Sequence, residues 1–312
     1  MKIIFAGTPV NAAETLSWLI QSGREVVAVL TREDAEVGRK KLLTESPVAS
    51  IARQHSIPLI KANKIDQAIE RQIRSFAPDL GLAVAYGVIF KKAILEIPTN
   101  GWINLHYSLL PAWRGAAPVQ HAIKSGNPVT GVSIFQLDEG MDTGPVLATV
   151  QTQIEPGENA GELLKRLTSL GISALSELMP SIEAGIAKPI AQPLDGISVA
   201  TKISRADARI NFADRARAIE LLVRAMNPEP MAWCEHDGTA LRIIEAVALG
   251  ASDFTGSGLP SAEGSLTIDS NRVLVSCGQD SLLELKTVQP AGKNPMDAAA
   301  WARGLKESKV LS

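Results

Sequence analysis

The stretch Lys2-Ile3-Ile4-Phe5-Ala6-Gly7-Thr8-Pro9 is an apolar run that stops at a glycine turn. Ala13, Leu16, Leu19 and Ile20 then recur at helical spacing. Buried strand, tight turn and amphipathic helix form the first module of an alternation that continues along the chain. Apolar runs predict strands over 26–30, 57–60, 80–85 and 103–106, and helical periodicity predicts helices over 48–54, 65–76 and 117–124. Two further strands are expected over 132–137 and 146–150, then a long helix over 163–182 with an irregularity at Gly171. Such alternation implies an α/β fold, a Rossmann-like, mostly parallel sheet with helices on both faces. Ligands in sheets of this kind bind beyond the carboxyl ends of the strands.

The pattern changes near residue 188. Residues 188–203 are rich in turn formers and lack periodicity, which reads as a linker between domains at 1–187 and 204–312. Beyond it come one helical segment, 216–226, and short alternating segments over 241–247, 265–268, 273–277 and 282–288. Asp237-Gly238 is a hairpin signal, and 295–305 reads as a closing helix. Several short strands separated by turns predict a small OB-like β-barrel.

The 312 residues carry 31 Lys and Arg against 33 Asp and Glu, a net charge of −2, so no global basic field marks a nucleic-acid partner. From residue 201 onward the balance is 13 against 14. Two cysteines, Cys234 and Cys277, lie in apolar stretches without metal-ligand spacing and read as reduced, buried thiols. The first apolar run is too short for a signal peptide, and no run of about 18 apolar residues occurs. A cytoplasmic protein with no membrane contact and no bound metal is expected. Gly7-Thr8-Pro9 does not match a dinucleotide fingerprint, and no P-loop is present.

Chemistry concentrates in Asn104-Leu105-His106-Tyr107-Ser108-Leu109-Leu110-Pro111. Asn104 and His106 are two apart on a strand and share one face. Taken alone, they are as readily a hydrogen-bonded core pair as a site. The following loop carries Leu109 and Leu110 where solvent is expected, a place for an apolar or aromatic ligand. Asp142 sits in Asp138-Glu139-Gly140-Met141-Asp142-Thr143-Gly144. In isolation it is a turn former. If it reaches His106, it would favour the imidazolium and orient the ring, and Asn104 would supply an oxyanion donor. Asn, His and Asp without a paired Ser or Cys point to direct acyl transfer between two bound substrates. Arg39-Lys40-Lys41 lies in a long segment between Leu30 and Val48. A solvated loop and a phosphate contact are both compatible with it.

These residues resemble the methionyl-tRNA formyltransferase family. The resemblance rests on Asn104-Leu105-His106, Ser108-Leu109-Leu110-Pro111, Trp113 to Gln120, Met141-Asp142-Thr143-Gly144, Ala6 to Pro9, Ser46-Pro47-Val48 and the run around Gln289 to Lys293. It implies a formyl transferase of translation initiation and one-carbon metabolism. The donor would be 10-formyltetrahydrofolate, the acceptor the α-amino group of initiator methionyl-tRNA, and the chain a monomer. By the same resemblance, Asn104, His106 and Asp142 match catalytic positions. Ser108, Leu109, Leu110 and Pro111 match a folate-contacting loop. Ala85, Tyr86, Gly87, Val88, Ile89 and Phe90 match backbone that borders the pterin. Arg39, Lys40 and Lys41 match a tRNA-contacting insertion, and the second domain an RNA-contacting barrel. Two departures stand out: Tyr107 where a small residue is frequent, and Gly38-Arg39-Lys40-Lys41-Leu42 where Gly-Arg-Gly-Lys-Lys is common. The alternatives are a sugar-nucleotide formyltransferase using the same donor, a hydrolase that hands the formyl group to water, and a non-catalytic folate- or RNA-binding protein.

Overall fold

The structure is a computed structural model and describes residues 1–38, 40–250, 262–269, 271–305 and 310–312. It separates into two compact units. The first comprises Met1–Pro118, Val129–Gln153 and Leu164–Thr201; the second comprises Val119–Pro128, Ile154–Leu163 and Lys202–Ser312.

The first stretch of chain runs β1 (Lys2–Gly7), α1 (Val10–Gln21), β2 (Glu25–Thr31), a hairpin of β3 (Ala35–Val37) and β4 (Leu42–Thr44), α2 (Pro47–Gln54), β5 (Leu59–Lys61) and α3 (Gln67–Ser75). It continues through β6 (Leu80–Val84), α4 (Lys92–Leu95), β7 (Trp102–His106), β8 (Arg114–Gly115), α5 (Pro118–Lys124), β9 (Val129–Gln136), β10 (Val146–Gln153), α6 (Ala160–Glu183) and β11 (Val199–Ala200). Helix starts follow local chemistry. Ser46 accepts from Ala49 N–H at 3.0 Å with Pro47 in the first turn, and Asp66 accepts from Ala68 and Ile69 N–H at 2.9 Å.

Seven strands form the main sheet in the order β10-β9-β7-β6-β1-β2-β5. Neighbours from β7 through β5 are parallel, while β9 and β10 are antiparallel additions. The mostly parallel sheet read from the sequence is thus present. One face of it buries Ile4, Ala6, Ala28, Leu30, Ile60, Ile73 and Trp102 together with Tyr86 and Phe90. Trp102 on β7 lies opposite Gly81 on β6, where a Cβ would fall 2.1 Å from the indole, so glycine makes room for the largest core side chain. Trp102 in turn packs against Phe90, ring centroids 4.5 Å apart and planes tilted by 58°, and donates its indole N–H to Ile94 O at 2.9 Å. This fixes the segment after β6 against the base of β7.

Helix α6 runs unbroken through Gly171. The expected irregularity is absent. Gly171 instead permits close approach, because a Cβ there would lie 2.6 Å from Leu105 of β7. The long segment after β2, expected as a loop, contains the β3–β4 hairpin. Residues 188–203, expected as a linker, belong to the first unit up to Thr201 and are hydrogen-bonded into it. Val199–Ala200 pairs with Arg114–Gly115, and Ile190 bridges Val146.

The second unit contains α7 (Ala216–Met226), β12 (Trp233–His236), β13 (Thr239–Leu249), β14 (Leu266–Asp269), β15 (Arg272–Cys277), β16 (Ser281–Pro290), β17 (Met296–Asp297) and α8 (Ala298–Ala302). Its antiparallel order is β12-β13-β16-β15-β14, with β17 on β16. Asp237 and Gly238, at φ 49° and 68°, form the expected tight turn between β12 and β13. Residues 310–312 tie the two edges together. Ser312 exchanges hydrogen bonds with Glu235 of β12, and Val310 bridges Ser265 beside β14. That closure makes the sheet barrel-like. The closing helix, expected over 295–305, is the shorter α8. Gln289 is locked between Arg242 Nη1 at 3.1 Å and Lys293 O at 3.0 Å, which shapes the turn after β16. Cys234 and Cys277 are buried, and burial pushes both thiols up to about 12. Among the described residues no helix is long and apolar enough to cross a membrane, and no group of three or more His, Cys, Asp or Glu is placed to hold a metal.

Candidate active site

A cleft of about 430 Å³ opens at the carboxyl ends of β6 and β7, where a sheet of this order is expected to bind ligands. Its walls include all six residues Ala85, Tyr86, Gly87, Val88, Ile89 and Phe90, together with Asn104, His106, Met141 and Asp142. The volume falls in the range of small-molecule sites. Ala85 and Gly87 take positive φ of 47° and 79°, which turns the chain outward directly after β6. Arg32 steadies this turn by donating to Gly87 O at 3.0 Å and to Asn63 Oδ1 at 2.7 Å. Tyr86 is structural: its hydroxyl donates to Ala62 O at 2.8 Å, and burial pushes its pKa up to about 12. Ile89 is 70% exposed and Met141 50% exposed, so the rim of this mostly apolar cleft is apolar as well.

Asn104 and His106 project from the same face of β7, as their spacing requires. His106 is 5% exposed, with Phe135 of β9 edge-on at 6.3 Å. Its Nε2 lies 2.9 Å from the carbonyl of Trp113. A carbonyl only accepts, so Nε2 carries the proton. Nδ1 lies 3.7 Å from Asp142 Oδ2. Burial lowers the pKa of His106, while Asp142 and the Trp113 carbonyl pull the other way. The direction that prevails is downward, because desolvation of a cation in a closed site outweighs one carboxylate beyond hydrogen-bond distance. The ring is therefore neutral at rest, with its Nδ1 lone pair free to take a proton. The imidazolium expected from the His–Asp proximity is corrected on this point: Asp142 is visible in the sequence and the depth of burial is not.

Asp142 sits at φ 54°, a strained setting for a residue with a side chain, and Oδ2 accepts the N–H of Gly115 at 2.7 Å. Trp113, at φ 60°, is likewise held. Its N–H donates to Ser198 Oγ at 2.9 Å. The two backbones that flank His106 are thus both fixed from outside. Among the described residues none takes the side-chain amide of Asn104. A polar group left open in a cleft beside a neutral base is poised for a ligand.

Ser108, Leu109, Leu110 and Pro111 form the loop that follows β7. None of the four lines the cleft. Ser108 is fully buried and donates to Ala112 O at 2.6 Å, and Leu110 N–H donates to Ser133 Oγ at 3.1 Å. Tyr107, which stands where a small residue is frequent in the family, points its hydroxyl at Asn11 Nδ2 (2.8 Å) and Thr168 Oγ1 (3.5 Å), both within the first unit. Lys40 and Lys41 occupy the turn of the β3–β4 hairpin; Arg39 lies outside the described residues. Lys41 Nζ is 3.5 Å from Glu36, with both side chains exposed, a pairing of little energetic weight. Sequence reading missed Gly115 N–H, the Trp113 carbonyl and Gln192. Two of these act through backbone atoms, which no side-chain motif reveals.

Comparison with known proteins identifies the family. Residues 1–179 match the formyl transferase family and residues 202–306 match the formyl transferase C-terminal domain. The methionyl-tRNA formyltransferase of Paenarthrobacter aurescens (strain TC1) is 47% identical over 306 residues, covering 98% of this chain and 97% of its own. That of Streptomyces coelicolor (strain ATCC BAA-471 / A3(2) / M145) is 43% identical, covering 97% and 96%. Among solved structures, an N-formyltransferase from Helicobacter canadensis in complex with folinic acid and dTDP-3-aminofucose superposes with a TM-score of 0.69 at 19% identity, covering 93% of this chain and 99% of its own. The sugar 3N-formyl transferase WlaRD, solved in the presence of dTDP and 5-N-formyl-THF, gives 0.68 at 18%, covering 94% and 99%. At such identities these two attest to the fold alone. The full-length relatives carry the assignment: with 43–47% identity over nearly the whole chain and both family models matched, this chain belongs to the methionyl-tRNA formyltransferase family.

Proposed function

We propose that the cleft transfers the formyl group of 10-formyltetrahydrofolate directly to the α-amino group of methionyl-initiator tRNA, in the cytoplasm. The observation that carries this reading is the open Asn104 amide beside neutral His106 and the Asp142 carboxylate. The amine attacks the formyl carbon, and the bond from that carbon to the donor nitrogen breaks. Asn104 donates a hydrogen bond to the formyl oxygen as negative charge grows there. His106 Nδ1 takes the proton that the amine sheds and returns it to the departing nitrogen. Asp142 stabilises the imidazolium that exists between those two events. No covalent enzyme intermediate is needed. The serine hydroxyls nearby are committed elsewhere, Ser108 to Ala112 O and Ser133 to Ser108 O.

The donor fits the walls: Ala85 to Phe90 offer backbone groups and apolar surface for a flat heteroaromatic ring, and Ile89 and Met141 line its exit. The assignment of Ser108, Leu109, Leu110 and Pro111 to the donor rests on family resemblance. One assay separates the readings. Incubated with labelled 10-formyltetrahydrofolate, charged methionyl-tRNA and an amino-sugar nucleotide, the protein should place the label on methionine. Label on the sugar would establish the sugar-nucleotide reading, and free formate the hydrolytic one.

Lys40 and Lys41, with Arg39, are proposed to hold the acceptor end of the tRNA. The overall charge of −2 leaves no long-range attraction, so discrete cations must serve. Changing all three to Ala should flatten the slope of log(kcat/KM) for tRNA against log salt by about 0.7–2 units, at about 0.7 per single-strand phosphate contact. The donor KM should stay unchanged. An unaltered slope and kcat/KM would assign the hairpin to solvent alone.

A further inference from the structure

Residues 191–197 are solvent-exposed with one exception, Gln192, whose side chain turns back into the first unit. Its amide is fully used. Nε2 donates to two carbonyls of the acidic turn, Asp142 O and Gly144 O, both at 2.8 Å. Oε1 accepts from Arg114 Nε at 3.1 Å and Nη2 at 2.6 Å. Two carbonyls on one side and a guanidinium on the other fix which end of the amide is which. Arg114 precedes Gly115, whose N–H donates to Asp142 Oδ2. One side chain therefore joins the Asp142 backbone to the strand that receives the Asp142 carboxylate.

The surrounding segment repeats the pattern. Ser198 accepts the Trp113 N–H through Oγ and the Arg114 N–H through its carbonyl, both at 2.9 Å. Trp113 supplies the carbonyl that orients His106. Residues 190–200 thus brace the partners of His106 on both sides. Asp142 needs such bracing, since its positive φ of 54° is unfavourable without it. Its carboxylate, 3.7 Å from Nδ1, is at a distance where small displacements change the interaction with the ring.

We propose that Gln192 is a positioning residue for formyl transfer: by holding the carbonyls of Asp142 and Gly144 against Arg114, it sets the Asp142 carboxylate relative to His106. The proposal rests on the roles assigned above to His106 and Asp142. Gln192 does not line the cleft, so it acts through Asp142 and Arg114.

The test uses the full chain, with Gln192→Ala and Gln192→Glu. The glutamate keeps a partner for Arg114 but loses both N–H donors and faces two carbonyls with a carboxylate. Each variant should lower kcat for methionyl-tRNA by about 10- to 100-fold, the range expected from a misplacement near 1 Å, with the donor KM changed less than about twofold. The chain has four histidines, so His106 can be followed by NMR of histidine-labelled protein, assigned with His106→Ala. Asp142 is the charged group facing that ring, with Trp113 O and the Phe135 edge as its other surroundings. Loosening the Asp142 turn should move the His106 titration to lower pH. In an Asp142→Asn background, Gln192→Ala should add less than about threefold, because both changes act on one interaction. Two results would overturn the proposal: kcat within about threefold of wild type in either folded variant, or a full loss in the Asp142→Asn background with the His106 titration unmoved. A His106→Ala enzyme of normal turnover would instead remove the site assignment itself, so the two failures are distinguishable.

Discussion

Replacing His106 by Ala lowers kcat by about 10²–10⁴, the usual contribution of a positioned general base, while the donor KM changes little. The reason lies in the protonation state. Nε2 is committed as donor to the Trp113 carbonyl, so Nδ1 alone is free to accept the amine proton. Asn104→Ala is expected to cost about 10²–10³, as loss of an oxyanion donor does. Single-turnover formylation of methionyl-tRNA, with fold checked by thermal melting, measures both. Near-normal turnover by a folded His106→Ala protein would remove His106 from the mechanism. The pH dependence carries a sign. Burial lowers the His106 pKa, so the neutral base persists below the ordinary imidazole range, and the rate is lost only as pH falls through the lowered value. Asp142 opposes that lowering. Asp142→Asn should therefore move the acidic limb to still lower pH while reducing the plateau, since the imidazolium formed in transit loses its counter-charge. A limb moving to higher pH would contradict the assignment.

What could be read from the sequence divides along a physical line. Strands β1, β2, β6 and β7 are buried, and their apolar runs name them directly. Asn104 and His106 are legible because a period of two puts them on one face. Helix α7 spans the 216–226 that its amphipathic pattern predicts. The β3–β4 hairpin escaped because its six strand residues are all exposed and leave no burial pattern. Gly171 was misjudged because its reason lies across space, in the Leu105 side chain of β7. The 188–203 stretch looked like a linker because its order comes from Gln192, Ser198 and a two-residue strand pair, all of which lack periodicity. The charge of His106 was unreadable for a further reason. A sequence displays the Asp that raises a pKa but not the depth of burial that lowers it.

Gly115→Ala should be nearly as damaging as loss of a catalytic side chain, although it adds one methyl group. Gly115 sits at φ 123°, a backbone setting that residues with a Cβ rarely adopt, and its Cβ would lie 2.5 Å from Ala200 O. The short β8–β11 pairing that joins Gly115 to Ala200 must therefore open. With it moves the Gly115 N–H, the charge-assisted donor that holds Asp142 Oδ2 at 2.7 Å. The clash lies on backbone, so no rotamer change relieves it. Strained φ alone costs of order 1–3 kcal/mol. The displaced carboxylate should add a loss of about 10²-fold in kcat, as misplacement close to the chemistry does. Gly196→Ala is the control: it has φ 78° in the same segment, but an added methyl would meet nothing within 4 Å. It should lower Tm modestly and leave kcat unchanged, because it carries strain without displacement. If both variants lost the same small amount of stability and kept full activity, the Gly115 N–H would be dispensable to Asp142. A large fall in kcat confined to Gly115→Ala, in protein that still melts cooperatively, would locate that fall in the peptide that holds the carboxylate.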